Sequence, residues 1–201
     1  MNHFVTAIGT DSGKTLVSAI ITEMLGCGYW KPIQAGEPRD TAAVESLVSN
    51  PDCEFFPEGI FLQTPASPHY SAQVDGVHLS AEKFELPSKN ELVIEGAGGL
   101  LVPINDHEVI ADLIPKFNAE VILVADLYLG SINHTLLTIE ELKRRKLPVN
   151  GIVFNGKSNP ASEKIILKKS GYRCLLKLPR LEIVNEEVMK LYAEKLKENW
   201  K

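Results

Sequence analysis

Residues 4–15, Phe4-Val5-Thr6-Ala7-Ile8-Gly9-Thr10-Asp11-Ser12-Gly13-Lys14-Thr15, decide the fold. Phe4–Ile8 is an apolar run of strand length, and Lys14–Leu25 carries helical spacing, so the glycines and Asp11-Ser12 fall in a tight strand-to-helix loop. Successive backbone N–H groups feeding a helix N-terminus form an anion cradle. Lys14 adds a point charge at the β and γ phosphates of a nucleotide, and Thr15 supplies a hydroxyl for Mg²⁺. The strict pattern places a glycine five residues before Gly13, where this chain has Ile8; the nearest glycine is Gly9. The stretch is therefore a variant phosphate-binding loop. A chance Gly-Lys-Thr would lack the order strand, loop, helix.

Working outward, apolar runs of strand length recur at His3–Ile8, Glu91–Ile94, Glu120–Ala125, Val149–Phe154 and Tyr172–Leu178. Helical patterns lie at Lys14–Leu25, Val109–Phe117, Ser131–Lys146, Ser162–Ser170 and Asn185–Lys197. In Ser131–Lys146, Ile132, Leu136, Ile139 and Leu142 share one face, while Glu140, Glu141, Lys143, Arg144 and Arg145 lie mainly on the other. Strands alternating with helices of this length predict an α/β, P-loop NTPase-like fold: a mainly parallel sheet with helices on both faces. Val121–Ala125 and Ile152–Phe154 are continuously apolar, as strands covered on both sides are. Pro51–Ser80 shows no clear helix and reads as loops or a small antiparallel excursion. With no repeat and no linker, residues 1–201 read as one domain.

Composition excludes several classes. With 44% hydrophobic and 23% charged residues, a chain of 201 residues buries a sufficient core without metals or disulfides. No run approaches the roughly 18 apolar residues of a membrane helix, and the N-terminus shows no secretory signal. The net charge, 21 − 26 = −5, disfavours a general nucleic-acid binder. Three widely spaced cysteines without zinc-ligand spacing fit packed thiols in a reducing, cytoplasmic setting.

Two acids compete to hold Mg²⁺ beside the first strand. Glu95 is followed by Gly96-Ala97-Gly98-Gly99, whose small residues let backbone approach a ligand. Asp126, after Val121–Ala125, serves equally well as a helix cap or turn residue. Asp40, before the Ala42–Val48 helical pattern, is either an N-cap or a metal ligand. Lys31, in Tyr29-Trp30-Lys31-Pro32-Ile33-Gln34-Ala35-Gly36, is either solvated or aimed into the cleft by the proline after it.

The chain resembles the dethiobiotin synthetase family over essentially its whole length. The resemblance rests on FVTAIGTDSGKT (4–15), YWKPIQAG (29–36), Asp40-Thr41, ASPH (66–69), VIEGAGGLLVP (93–103), LGSINHTLLT (129–138) and GIVFNG (151–156). It implies a ligase that takes 7,8-diaminononanoate, CO₂ and ATP with Mg²⁺ and gives dethiobiotin, ADP and phosphate. A carbamate forms on one amine and its oxygen attacks the γ-phosphate. The second amine then displaces phosphate from the mixed anhydride. The resemblance also implies residue roles. Asp11, Ser12, Gly13, Lys14, Thr15 and Leu16 would cradle the phosphates, with Lys14 and Lys31 catalytic. Thr15, Asp40 and Glu95 would hold Mg²⁺. Gly96, Ala97 and Gly98 would approach nucleotide or substrate, and Ala35, Ser131, Ile132 and Asn133 would bind the diamine near a homodimer interface. Asn155 and Gly156 would meet the adenine, with Pro179, Arg180 and Leu181 closing over it. No nucleic-acid or membrane partner is implied.

Three departures stand out. Ala7 replaces the usual first loop glycine and adds a methyl expected near the phosphates. Ala35 stands where Ser or Thr is common, and the 36–40 and 80–89 connections are short. The rival readings are a cobyrinic acid-type synthetase, for whose usual amidotransferase domain 201 residues leave no room, and a partitioning or Min-type switch ATPase. The latter generally carries a second lysine in the loop, which Gly9–Ser12 lacks.

Overall fold

The structure is a computed structural model that describes residues 1–200. Its elements run β1 (Asn2–Ala7), α1 (Lys14–Leu25), β2 (Gly28–Trp30), β3 (Ile33–Ala35), α2 (Asp40–Glu45), β4 (Glu54–Phe55), β5 (Ile60–Leu62), α3 (Pro68–Asp75), β6 (Leu92–Gly99), α4 (Leu113–Lys116), β7 (Ala119–Asp126), α5 (Ser131–Arg144), β8 (Val149–Asn155), α6 (Pro160–Ser170), β9 (Cys174–Leu178) and α7 (Glu186–Lys197). Seven strands form one sheet in the order β4-β2-β6-β1-β7-β8-β9, every neighbouring pair parallel.

Side chains alternate across that sheet and explain its continuously apolar strands. Phe4, Ile94, Leu123 and Phe154 pack on one face with Ile114 of α4, Ile139 and Leu142 of α5 and Ile166 of α6. Val5, Val93, Ile122 and Val153 pack on the other beneath Val17 and Ile20 of α1 and Met189 and Leu196 of α7. Each fully buried aliphatic side chain contributes about 1.5–3 kcal/mol, so Ile20→Ala alone would cost about 2–5 kcal/mol. Among the described residues no helix is long and apolar enough to cross a membrane.

Three expectations need correction. Pro51–Ser80 holds no antiparallel excursion: β4 pairs with β2 and β5 with β3, both parallel. The segment also contains a helix, α3, started by Pro68 in its first turn. Its buried face offers only Pro68, Ser71 and Ala72, side chains too small to leave an apolar period. The predicted helix Val109–Phe117 divides into a 3₁₀ turn, Ile110–Asp112, and the four-residue α4. Pro115 has no N–H to offer the Ala111 carbonyl, so one continuous α-helix through both is excluded. Finally, β6 does not stop at Ile94; it continues through the glycine run to Gly99, with a shift in register against β1 that pairs Val5 with Glu95 and Ala7 with Gly99.

Helix starts separate structural from available N–H groups. The Asn159 and Asn185 side chains accept hydrogen bonds from Ser162 and Val188 at the starts of α6 and α7. Helices α1 and α5 begin after Gly13 and Gly130, both with left-handed backbone, and neither has a side-chain cap. The α1 start leaves N–H groups facing the ends of β1, β2 and β6, where parallel α/β sheets bind ligands.

Candidate active site

At that end lies a cleft of about 680 Å³ lined by Thr10, Asp11, Gly13, Lys14, Thr15, Leu16, Lys31, Ala35, Asp40, Glu95, Ala97 and Gly98, among others. Its centre is a buried charge cluster drawn from four elements. Lys31, just past β2, places Nζ 2.6 Å from Asp40 Oδ2 at the start of α2 and 3.2 Å from Glu95 Oε1 on β6. Thr15 Oγ1, in the first turn of α1, lies 3.2 Å from Asp40 Oδ1 and 3.0 Å from Glu95 Oε1. The open readings of Lys31 and Asp40 resolve here. Lys31 is 4% exposed and turned into the cleft, and Asp40 follows the N-cap position, which Arg39 occupies.

The cluster's electrostatics follow from burial. Desolvation works to lower the Lys31 pKa, but Glu95 and Asp40 outweigh it and hold the ammonium above the ordinary lysine range. Lys14, also buried, donates to the Gly9 carbonyl at 3.3 Å; its pKa is lowered, chiefly by desolvation. The cleft thus presents two ammonium groups and an uncapped helix start to whatever polyanion enters.

The oxygens also fit a hard cation. Thr15 has one hydroxyl proton for two carboxylate oxygens, so one of its two contacts pairs oxygen with oxygen and no hydrogen between them. A small divalent ion relieves that repulsion, and two carboxylates plus a hydroxyl leave coordination positions for phosphate and water, as Mg²⁺ prefers. Among the described residues no group of three or more His, Cys, Asp or Glu could hold a metal.

Gly13 combines two requirements. Its φ of 92° favours glycine, and an added Cβ would stand 2.3 Å from Asn155 Nδ2. That carboxamide donates to the Ser12 carbonyl at 2.8 Å and braces the loop from beneath. Ser12 is likewise turned inward, donating to the Gly9 carbonyl at 3.0 Å.

Comparison with known proteins settles the family. A family model described as an AAA domain matches residues 2–188. The ATP-dependent dethiobiotin synthetase BioD of Cytophaga hutchinsonii is 53% identical over 201 residues, covering 98% of both chains. That of Christiangramia forsetii is 49% identical, covering 98% of this chain and 96% of its own. The chain belongs to the dethiobiotin synthetase family. Among solved structures, a putative plasmid partition protein from Borrelia burgdorferi bound to AMPPNP aligns with a TM-score of 0.62 at 12% identity, covering 98% of this chain and 96% of that one. The cell division ATPase MinD of Pyrococcus furiosus aligns at 0.60 and 14%, covering 98% of both. These two share the P-loop fold.

In this member of the family, several expected residues stand apart from the cleft. An added Cβ at Gly96 would stand 3.0 Å from the Phe4 ring and 3.3 Å from Ile110, so its closest constraint comes from the core. The Ala7 methyl is buried under α1 and α7 and adds nothing near the phosphates. Asp126 is neither cap nor cleft acid; it binds Arg180 at 2.7 Å, which places Arg180, with Pro179 and Leu181 around it, beside Asn155 and Gly156 at the ends of β7 and β8. Ser131 does not cap α5: Gly130 holds that position, and the Ser131 hydroxyl accepts from the Tyr128 N–H at 3.3 Å. Ile132 packs against the core and Asn133 is exposed, outside the cleft.

Two supporting residues escape sequence reasoning. Tyr29, fully buried, donates from its hydroxyl to Glu95 Oε2 at 3.0 Å. Burial and the Glu95 charge hold that phenol well above its ordinary pKa. The Gln34 side-chain amide donates to the Gly36 and Pro38 carbonyls, and its oxygen accepts the Asp40 N–H. For Gln34 the available signal was a polar residue between Ile33 and Ala35 in a short apolar strand; Tyr29, an aromatic beside Trp30, offered none.

Proposed function

We propose that this protein is a dethiobiotin synthetase: it closes the ureido ring of 7,8-diaminononanoate with CO₂ and ATP, giving dethiobiotin, ADP and phosphate. One observation carries the reading: Lys31 Nζ stands between Asp40 and Glu95 in the same cleft as the phosphate-loop Lys14.

One substrate amine attacks CO₂, loses a proton and becomes a carbamate. A carbamate oxygen attacks the γ-phosphorus as the bond to ADP breaks. The second amine then attacks the carbamoyl carbon, sheds its proton, and phosphate leaves as the ring closes. In the phosphoryl-transfer step both reactants, carbamate and ATP, are anions, so their approach requires cations on both sides. Lys14 neutralises the β and γ oxygens from the loop. Lys31, held charged by its two carboxylates, meets carbamate and γ-phosphoryl oxygens between which charge is redistributed. The α1 N–H groups hold the phosphates in place, so positioning and electrostatics supply most of the catalysis. Thr15, Asp40 and Glu95 would hold Mg²⁺, which would supply charge neutralisation for the phosphates. Asn155 would keep its loop contact and offer its oxygen to adenine, with Pro179–Leu181 near the base.

The exposed Asn133 on α5 and the exposed apolar Tyr128, Leu129 and Leu137, with Leu101 lining a groove beside Leu137, support a homodimer in which this surface meets a second copy near the diamine site. Three unpaired thiols fit a cytoplasmic location, and the seven matched segments along residues 4–156 support a single catalytic unit. The test is substrate dependence: ATP turnover should require both the diamine and bicarbonate. Turnover indifferent to both would fit a switch ATPase and overturn the reading.

A further inference from the structure

Glu95 has two carboxylate oxygens with different surroundings. Oε1 faces the cleft, where Thr15 and Lys31 reach it at 3.0 and 3.2 Å. Oε2 points the other way and takes the Tyr29 hydroxyl at 3.0 Å. Tyr29 sits on β2, adjacent to β6 through the pairing of Tyr29 with Val93, and is packed with Val5, Val93 and Val17 under α1. Tyr29 is 0% exposed and Glu95 1%, so neither side chain can turn away without a buried polar group losing its partner.

We propose that Tyr29 sets the metal preference of the site: by occupying Glu95 Oε2 from below, it leaves Oε1 as the one oxygen Glu95 offers, so the site takes magnesium in preference to calcium. This rests on the reading of Thr15, Asp40 and Glu95 as the residues that hold the ion. Mg²⁺ demands a small octahedral shell of single oxygens, whereas Ca²⁺ accepts more oxygens and both arms of one carboxylate. A phenol that blocks one arm costs Mg²⁺ nothing and removes an option from Ca²⁺. It also fixes the carboxylate's rotation, as partners behind metal ligands generally do. Tyr29 is a positioning residue here, acting only through Glu95.

The test uses the full chain saturated with a non-hydrolysable ATP analogue and Mn²⁺, read by electron paramagnetic resonance as Mg²⁺ or Ca²⁺ displaces it. In the native protein, half-displacement should need less Mg²⁺ than Ca²⁺. In Tyr29→Phe that ratio should move toward Ca²⁺ by about tenfold, the lower end of what losing such a partner does to metal affinity. Affinity for the analogue in chelator, which reports the fold of the loop, should stay within about twofold, well below that change. An unchanged Mg²⁺ to Ca²⁺ ratio overturns the proposal. Glu95→Gln separates the two levels. It should weaken Mn²⁺ binding by at least about tenfold, and an unchanged Mn²⁺ affinity would overturn the underlying metal reading as well. If Tyr29→Phe does not fold, infrared difference spectra of the native protein decide. The carboxylate bands that vanish in Glu95→Gln should show single-oxygen binding with both ions, and a two-oxygen pattern with Ca²⁺ contradicts the proposal.

Discussion

Replacing Lys31 separates the two jobs the structure gives it. The ammonium holds two carboxylates, at 2.6 and 3.2 Å, in a cluster where its own side chain is 4% exposed. Removing one member of a buried charge set costs about 3–5 kcal/mol, because the partners remain buried and unpaired. Asp40 is 32% exposed and can be rescued in part by water, so the lower end, about 3 kcal/mol, applies. For a chain of this size that corresponds to a fall of roughly 6–12 °C in Tm. Because the Lys31 pKa is raised on folding, its contribution is fully present below the ordinary lysine value and is lost as pH rises through the higher folded value. The stability gap between native protein and Lys31→Met should therefore stay constant from about pH 6 to 9, on the acid side of the unfolded lysine pKa. Mg²⁺ should restore more stability to Lys31→Met than to the native protein, since a cation then fills the charge deficit. On catalysis, one electrostatic contact made at the transition state is worth about 10²–10³ in kcat. Lys31→Ala should bind ATP nearly normally and turn over that much more slowly, and Lys31→Arg should rescue poorly because its fork does not fit a point-charge site. The assays are calorimetric melting, ATP titration and initial rates of dethiobiotin formation. A Lys31→Ala protein that kept more than about a tenth of kcat, against the expected loss, would make the lysine structural and refute the two-cation account.

Glu95→Gln should raise the Mg²⁺ concentration needed for turnover far more than Asp126→Asn, because Asp126 is engaged with Arg180 and not with the cleft; Mg²⁺ titrations of the rate check this, and equal effects would contradict it. Asn133→Ala should weaken diamine binding and leave ATP affinity unchanged, since Asn133 stands outside the nucleotide cleft; calorimetry with each ligand reads the difference. Hydrogen bonds from Arg144 and Arg145 hold the Glu141 pKa down to about 2, so this carboxylate stabilises the fold above the unfolded value and the effect fades as pH falls through the folded one. Glu141→Gln should accordingly cost about 1 kcal/mol or less at pH 7, and that cost should shrink steadily as pH falls toward and through about 2 in denaturant unfolding.

Much of this was legible in the sequence where one physical rule dominated. Residues 4–15 admit a single reading because strand, loop and helix signals agree, and α1 begins and ends where its periodicity does, at Lys14 and Leu25. The continuously apolar Val121–Ala125 announced a strand covered on both faces, and β7 is one. Asp40 and Lys31 stayed ambiguous because caps, solvated charges and cleft charges are made of the same residue types; only the chain's return through β2, β3 and α2 brings them to 2.6 Å. Gly96 and Gly98 look alike in sequence, yet one answers to Phe4 in the core and the other, with φ of 65°, lines the cleft. Tyr29 was invisible for a related reason: a buried aromatic in a short strand is ordinary core until the strand beside it presents a carboxylate.

The most direct test of the central claim is the product itself. The protein would be incubated with 7,8-diaminononanoate, ¹³C-bicarbonate, Mg²⁺ and ATP, and the mixture resolved by mass spectrometry with ADP and phosphate quantified in parallel. The account predicts dethiobiotin carrying one ¹³C per molecule, formed in step with equal amounts of ADP and phosphate. ADP accumulating without a labelled cyclic urea would contradict it.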